Sequence, residues 1–155
     1  MTSSLWRPFN PNPRGLLVGD CTVRSICAVT GLDWHAAHNS LCGLSSVMAD
    51  MPSADRVWHE LLRWCGFHRE ELPDRCRLPR GIEALRTTRG ADVDLARQCY
   101  TVQDFCRMHP HGIYVLGPPS HAVAVISGQY WDAWDSGLTV PEYILTREEG
   151  LIHGL

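Results

Sequence analysis

Apolar residues recur at helical spacing at Val23, Ile26, Cys27 and Val29, and Gly31 stands just past the last of them. That pattern predicts a first helix opening at Asp20 and closing on a glycine cap. Asp33 predicts the cap of a second helix over WHAAHNSLC. A third, begun by Ser53, runs through ADRVWHELLRWC to Gly66, with Val57, Leu61, Leu62 and Trp64 on its apolar side. Thr101 with Asp104 three residues on has the form of a capping box and predicts a short helix through Met108, stopped by Pro110 and Gly112. Beyond it the period changes. GIYVLG, HAVAVI, QYWDAWD and PEYIL are short apolar or alternating runs, with Ser127-Gly128 as a tight turn between the second and third. Helices first and an antiparallel sheet afterwards is an α+β layout.

Two stretches lack such a period. Residues 6–15, WRPFNPNPRG, carry three prolines, so 1–18 is expected to be an extended arm without regular structure. Residues 67–100 are Arg-rich and broken by Pro73 and Pro79; loops and a short helix near 80–87 are expected there. At 155 residues the whole chain fits one domain.

Charge narrows the function classes. All 14 basic residues are arginine, scattered among 17 acids for a net charge of -3, so no dense basic face for nucleic acid is expected. No run approaches the ~20 apolar residues that span a bilayer, and the amino terminus lacks a basic start followed by an apolar stretch. A cytoplasmic protein without membrane partners is the expectation. The seven cysteines, at 21, 27, 42, 65, 76, 99 and 106, are odd in number and irregular in spacing, which fits free thiols better than a disulfide framework. Paired metal-binding spacings are absent, so neither a zinc site nor another cofactor is expected. Most of the six tryptophans are expected in the core, Trp58 and Trp64 through helix spacing.

The chemistry starts at GDC, residues 19–21. A thiol in the first turn of a helix faces unpaired backbone N–H groups and the positive end of the dipole, which favour thiolate. Gly19 would let a substrate backbone approach, and the N–H of Cys21 is itself a candidate oxyanion donor. The stretch also fits an ordinary Asp20 N-cap followed by a small core residue. The balance shifts with His121, which heads the strand of Val123 and Val125 and is expected on the face toward the helices. An imidazole there could exchange a proton with a helix-start thiol. Asp132 and Asp135 both lie on the returning strand. If Ser127 and Gly128 alone form the turn, Asp132 is the same-face diagonal neighbour of His121; a three-residue turn puts Asp135 opposite it. Register decides the third member.

Together, GDCTVRSICAVTGLDW, HAVAVISG and YWDAWDSG resemble the papain-like cysteine peptidase superfamily, and most of all its short members from bacteriophages and bacteria. The resemblance covers residues 19–42 and 101–137. It implies a papain-like fold with the cysteine helix packed on the sheet, and Cys21 as nucleophile with His121 as base and then acid. Asp135, at the family's Asn position, or Asp132 would orient the ring. The implied function is a thiol hydrolase, a peptidase or isopeptidase acting on a protein or peptide in the cytoplasm, that of the host if phage-encoded. Papain relatives carry a glutamine six residues before the cysteine as oxyanion donor; Gly15 stands there in this chain, which leaves Asn12, with Asn10 beside it, or Arg14 from the arm as substitutes. An inert protein of this fold, binding a partner through the same cleft, is the alternative.

Overall fold

The computed structural model describes residues 5–72 and 100–147. Its elements in chain order are β1 (Trp6–Pro8), α1 (Cys21–Thr30), α2 (Trp34–Met48), α3 (Asp55–Trp64), β2 (Phe67–Glu71), α4 (Val102–Met108), β3 (Ile113–Gly117), β4 (Val123–Ile126), β5 (Gln129–Asp132) and β6 (Tyr143–Arg147). The described residues thus form a mixed α+β structure of four helices and one six-stranded sheet, ordered β1-β5-β4-β3-β6-β2. The expected helix near 80–87 and the arginines from 75 to 89 lie outside the described residues.

Local chemistry accounts for most boundaries. Gly31 closes α1 in the left-handed region, φ 78°, and returns its N–H to the Cys27 carbonyl. The Asp33 carboxylate accepts from Ala36 N at the start of α2, which runs past the expected Cys42 to Met48. Thr101 and Asp104 form a reciprocal capping box on α4. Ser127 and Gly128, with φ 50° and 73°, make the two-residue turn of β4 and β5, a left-handed pair matched to strand twist. Their register is Ile126↔Gln129 and Val125↔Tyr130.

The core lies on both faces of the sheet. Ile26, Leu41, Trp58 and Leu62 from α1, α2 and α3 pack on Val115, Ala124 and Leu145. On the other face Val102, Phe105 and Cys106 of α4 meet Leu116, Val123, Val125 and Tyr130. Each fully buried large side chain of this kind contributes roughly 1.5–3 kcal/mol.

Four expectations need correction. Trp6–Pro8 is a strand, not an irregular arm: it pairs parallel with β5, and Pro8, which has no N–H to donate, sits at the end of this edge strand. The sheet is therefore not wholly antiparallel, nor wholly C-terminal, since β2 pairs antiparallel with β6. Trp64 is 62% exposed because the buried arc of α3 is Val57, Trp58, Leu61 and Leu62, and position 64 falls at its edge in the last turn. Val123 and Val125 face α4 rather than α1. His121 precedes β4, its N–H bonded to the Pro118 carbonyl, so the strand's alternation does not govern its side chain.

Candidate active site

Cys21 is the first residue of α1 and is half-buried at the edge of a cleft of about 330 Å³. His121, Pro118 and Ser120 form one wall of this cleft, and Gly19 and Thr22 flank the thiol. Buried Trp58 and Tyr143 also line it, together with Asp55 and Glu142. A Cβ placed on Gly19 would meet nothing within 4 Å, so the backbone there borders open space.

Cys21 and His121 line the same cleft, where the ring and the Ala122 N–H both act to lower the thiol. His121 Nε2–H donates to Asp132 Oδ2 at 2.6 Å. The other ring nitrogen, Nδ1, is thus the one left for the thiol. Trp134 lies beside the imidazole, centroids 5.1 Å apart. Asp132 is wholly buried and accepts from three further groups: Ser136 Oγ at 2.6 Å, Ala133 N at 2.7 Å and Arg24, whose Nη2 is 2.9 Å from Oδ1.

The turn is the two-residue one, with Ile126 paired to Gln129, and Asp132 at the end of β5, not Asp135, reaches the ring. Asp135 instead accepts from the Tyr130 hydroxyl and from Gly137 N. The arm also has a different place from the expected one. Asn12 Oδ1 accepts from Arg14 N and Leu16 N, at 3.0 and 3.3 Å, and Asn10 Nδ2 donates to the Leu16 carbonyl, so these side chains close a local turn. Neither Asn12 nor Arg14 lines the cleft. The arm serves Asp132 from behind: Trp6 Nε1 and Phe9 N both donate to its backbone carbonyl, at 3.0 and 2.9 Å.

Charge follows from these contacts. Burial pushes the Cys21 thiol up, but the His121 hydrogen bond and positive charge, the Ala122 N–H and the Arg24 charge outweigh it and hold the thiol below its ordinary value. Burial pushes His121 down, yet the bonds to Asp132 and Cys21 raise it to about 9. For Asp132, burial raises, while His121, Arg24 and Ser136 lower, and the net is a depressed carboxylate. The three shifts run the same way: each favours the charged form of its group, thiolate on Cys21, imidazolium on His121 and carboxylate on Asp132.

Sequence reasoning missed Arg24. It sits within the apolar pattern of α1, 4% exposed, and bonds Asp20 Oδ1 through Nη1 at 2.5 Å. Asp20 also receives Trp34 Nε1 on Oδ2 at 2.9 Å. The carboxylate occupies the N-cap position without capping the helix. The i,i+4 spacing of Asp20 and Arg24 was the available signal. Among the described residues, no three His, Cys, Asp or Glu side chains are grouped to hold a metal ion, and no helix is long and apolar enough to cross a membrane. None of the family models, curated proteins or solved structures compared with the chain matches it significantly.

Proposed function

We propose that the protein is a thiol hydrolase, a cysteine peptidase or isopeptidase that works through Cys21, His121 and Asp132 on a protein or peptide substrate. The observation that carries this reading is that the helix-start Cys21 and His121 line one open cleft, with the buried Asp132 carboxylate bonded to the far side of the ring. The five described cysteines are all free thiols, which suits a reducing cytoplasmic setting.

The steps follow from the geometry. The Cys21 thiolate attacks the substrate carbonyl carbon, and the C=O π pair moves to oxygen. That oxyanion forms beside the start of α1, where the Cys21 N–H can donate and where the Asp20 side chain does not compete. Collapse breaks the C–N bond as His121 gives its proton to the leaving amine, and a thioester remains on Cys21. Water then attacks the thioester, His121 takes its proton, and the C–S bond breaks to release the acid and restore the thiolate. Asp132 keeps the ring oriented throughout.

The inert, partner-binding alternative is favoured by one observation: two of the three expected oxyanion donors, Asn12 and Arg14, lie away from the cleft. Reaction with p-nitrophenyl acetate separates the two readings. A hydrolase gives a burst of p-nitrophenolate, acetyl-Cys21 by peptide mapping, and turnover that Cys21→Ala abolishes. An absent burst, or one that survives in Cys21→Ala, rules the hydrolase out.

A further inference from the structure

We infer that Arg24 is a positioning residue for this site: its guanidinium fork clamps Asp132 against the His121 ring. The inference rests on the thiol-hydrolase reading.

An arginine on the core side of a helix is costly to bury and stays there only when its donors are matched. Arg24 is matched on two sides. Nη1 meets Asp20 Oδ1 at 2.5 Å, and Nη2 and Nε meet Asp132 Oδ1 at 2.9 and 3.1 Å. Two donors on one carboxylate oxygen leave Asp132 Oδ2 for His121 and Ser136. The fork therefore decides which oxygen faces the ring. A lysine has charge but one point of attachment and cannot span both acids in this way.

Asp20 completes the device. It shares the guanidinium and is tied on its other oxygen to Trp34 Nε1, so Arg24 is fixed relative to α2 as well as to β5. The pair is a net neutral unit attached to a catalytic acid, and buried charge is thereby balanced without quenching Asp132. The charged and titratable groups about Cys21 are His121 and Arg24, with Asp55, Glu142 and Tyr143 in the same cleft. Arg24 is the only one of these with a permanent positive charge.

Acetylation and deacetylation of Cys21 by p-nitrophenyl acetate, followed from pH 4 to 10, test the assignment. Arg24→Lys keeps the charge and loses the fork: its deacetylation should slow about tenfold while the acid-side midpoint of acetylation stays at the wild-type value. Asp20→Asn with Arg24→Met removes both charges as a neutral pair. It should slow deacetylation similarly, and in Arg24→Lys the base-side midpoint, where the imidazolium gives up its proton, should fall below the wild-type value because the Asp132 bond that holds His121 up is loosened, a change that a merely structural role would not produce. Should the double variant not fold, Arg24→Lys decides alone. Wild-type deacetylation in folded Arg24→Lys, or an unmoved base-side midpoint in that variant, overturns the inference. Failure of the wild-type protein to acetylate at Cys21 sinks the hydrolase reading instead.

Discussion

Replacing Asp132 by Asn keeps shape and removes the charge that holds the site together, and the structure sets the size of the effect. His121 has a pKa of about 9 in the folded protein against 6.5 for the free side chain. A raised histidine contributes stability that is fully present below pH 6.5 and lost as pH rises through about 9. At pH 7 the linkage is worth about 2–3 kcal/mol, and Asp132 is the leading source of the rise. Asp132 is itself depressed, so its contribution is present above the ordinary carboxylate pKa and lost as pH falls through the folded one. The stability difference between wild type and Asp132→Asn should therefore be largest between about pH 4 and 6.5 and shrink toward pH 9. Urea unfolding followed by tryptophan fluorescence across that range measures it. In the acetate assay the same variant should lose about a hundredfold in deacetylation, since the ring is no longer oriented. Asp135→Asn is the internal comparison: losing the carboxylate that accepts from Tyr130 and Gly137 N costs about 1 kcal/mol, with deacetylation near wild type. A stability difference for Asp132→Asn that is flat from pH 5 to 9, or a deacetylation loss in Asp135→Asn equal to it, refutes the reasoning.

Two further outcomes are expected. His59 is held at about 4 by burial, its Nε2 being 3.1 Å from the Tyr143 hydroxyl. The unfolded chain then takes up a proton between pH 6.5 and 4 that the folded chain does not, so stability should fall on acidification through that window. Discounted for its partial exposure, the effect is about 1–2 kcal/mol. His59→Gln should flatten that part of the urea midpoint curve; a curve as steep as wild type would show that His59 is not the cause. Gly117 lies under the Tyr143 ring, which occupies the space of a Cβ. Gly117→Ala should cost about 1–3 kcal/mol by overpacking, and a thermal midpoint equal to wild type would refute that close packing.

How much of this was written in the chain differs by element for physical reasons. Local signals survive folding: the Thr101–Asp104 box and the Ser127-Gly128 turn depend on residues within four of each other. Strands that owe their existence to a distant partner leave weaker marks. β1 lies among prolines, and β2, FHREE, shows no alternation because four of its five residues are exposed at the sheet edge. Neither could be found without knowing which strand each pairs with. At the site, Cys21 and His121 were legible because helix start and strand start are themselves sequence features. The choice between Asp132 and Asp135 was not, since one residue of turn length reverses it.

Arg24 shows a third kind of limit. Its local pattern reads as an exposed charge paired with Asp20 at i,i+4, the commonest and weakest use of such a pair. Only the approach of β5, 108 residues on, turns that pair into a buried clamp on Asp132. Arg24 and Trp34 occupy the two oxygens of the Asp20 carboxylate in place of the backbone N–H groups of its own helix. The helix start at Cys21 is thereby left uncapped by its neighbour, and one ion pair both orients the acid behind the imidazole and leaves the Cys21 N–H beside the cleft.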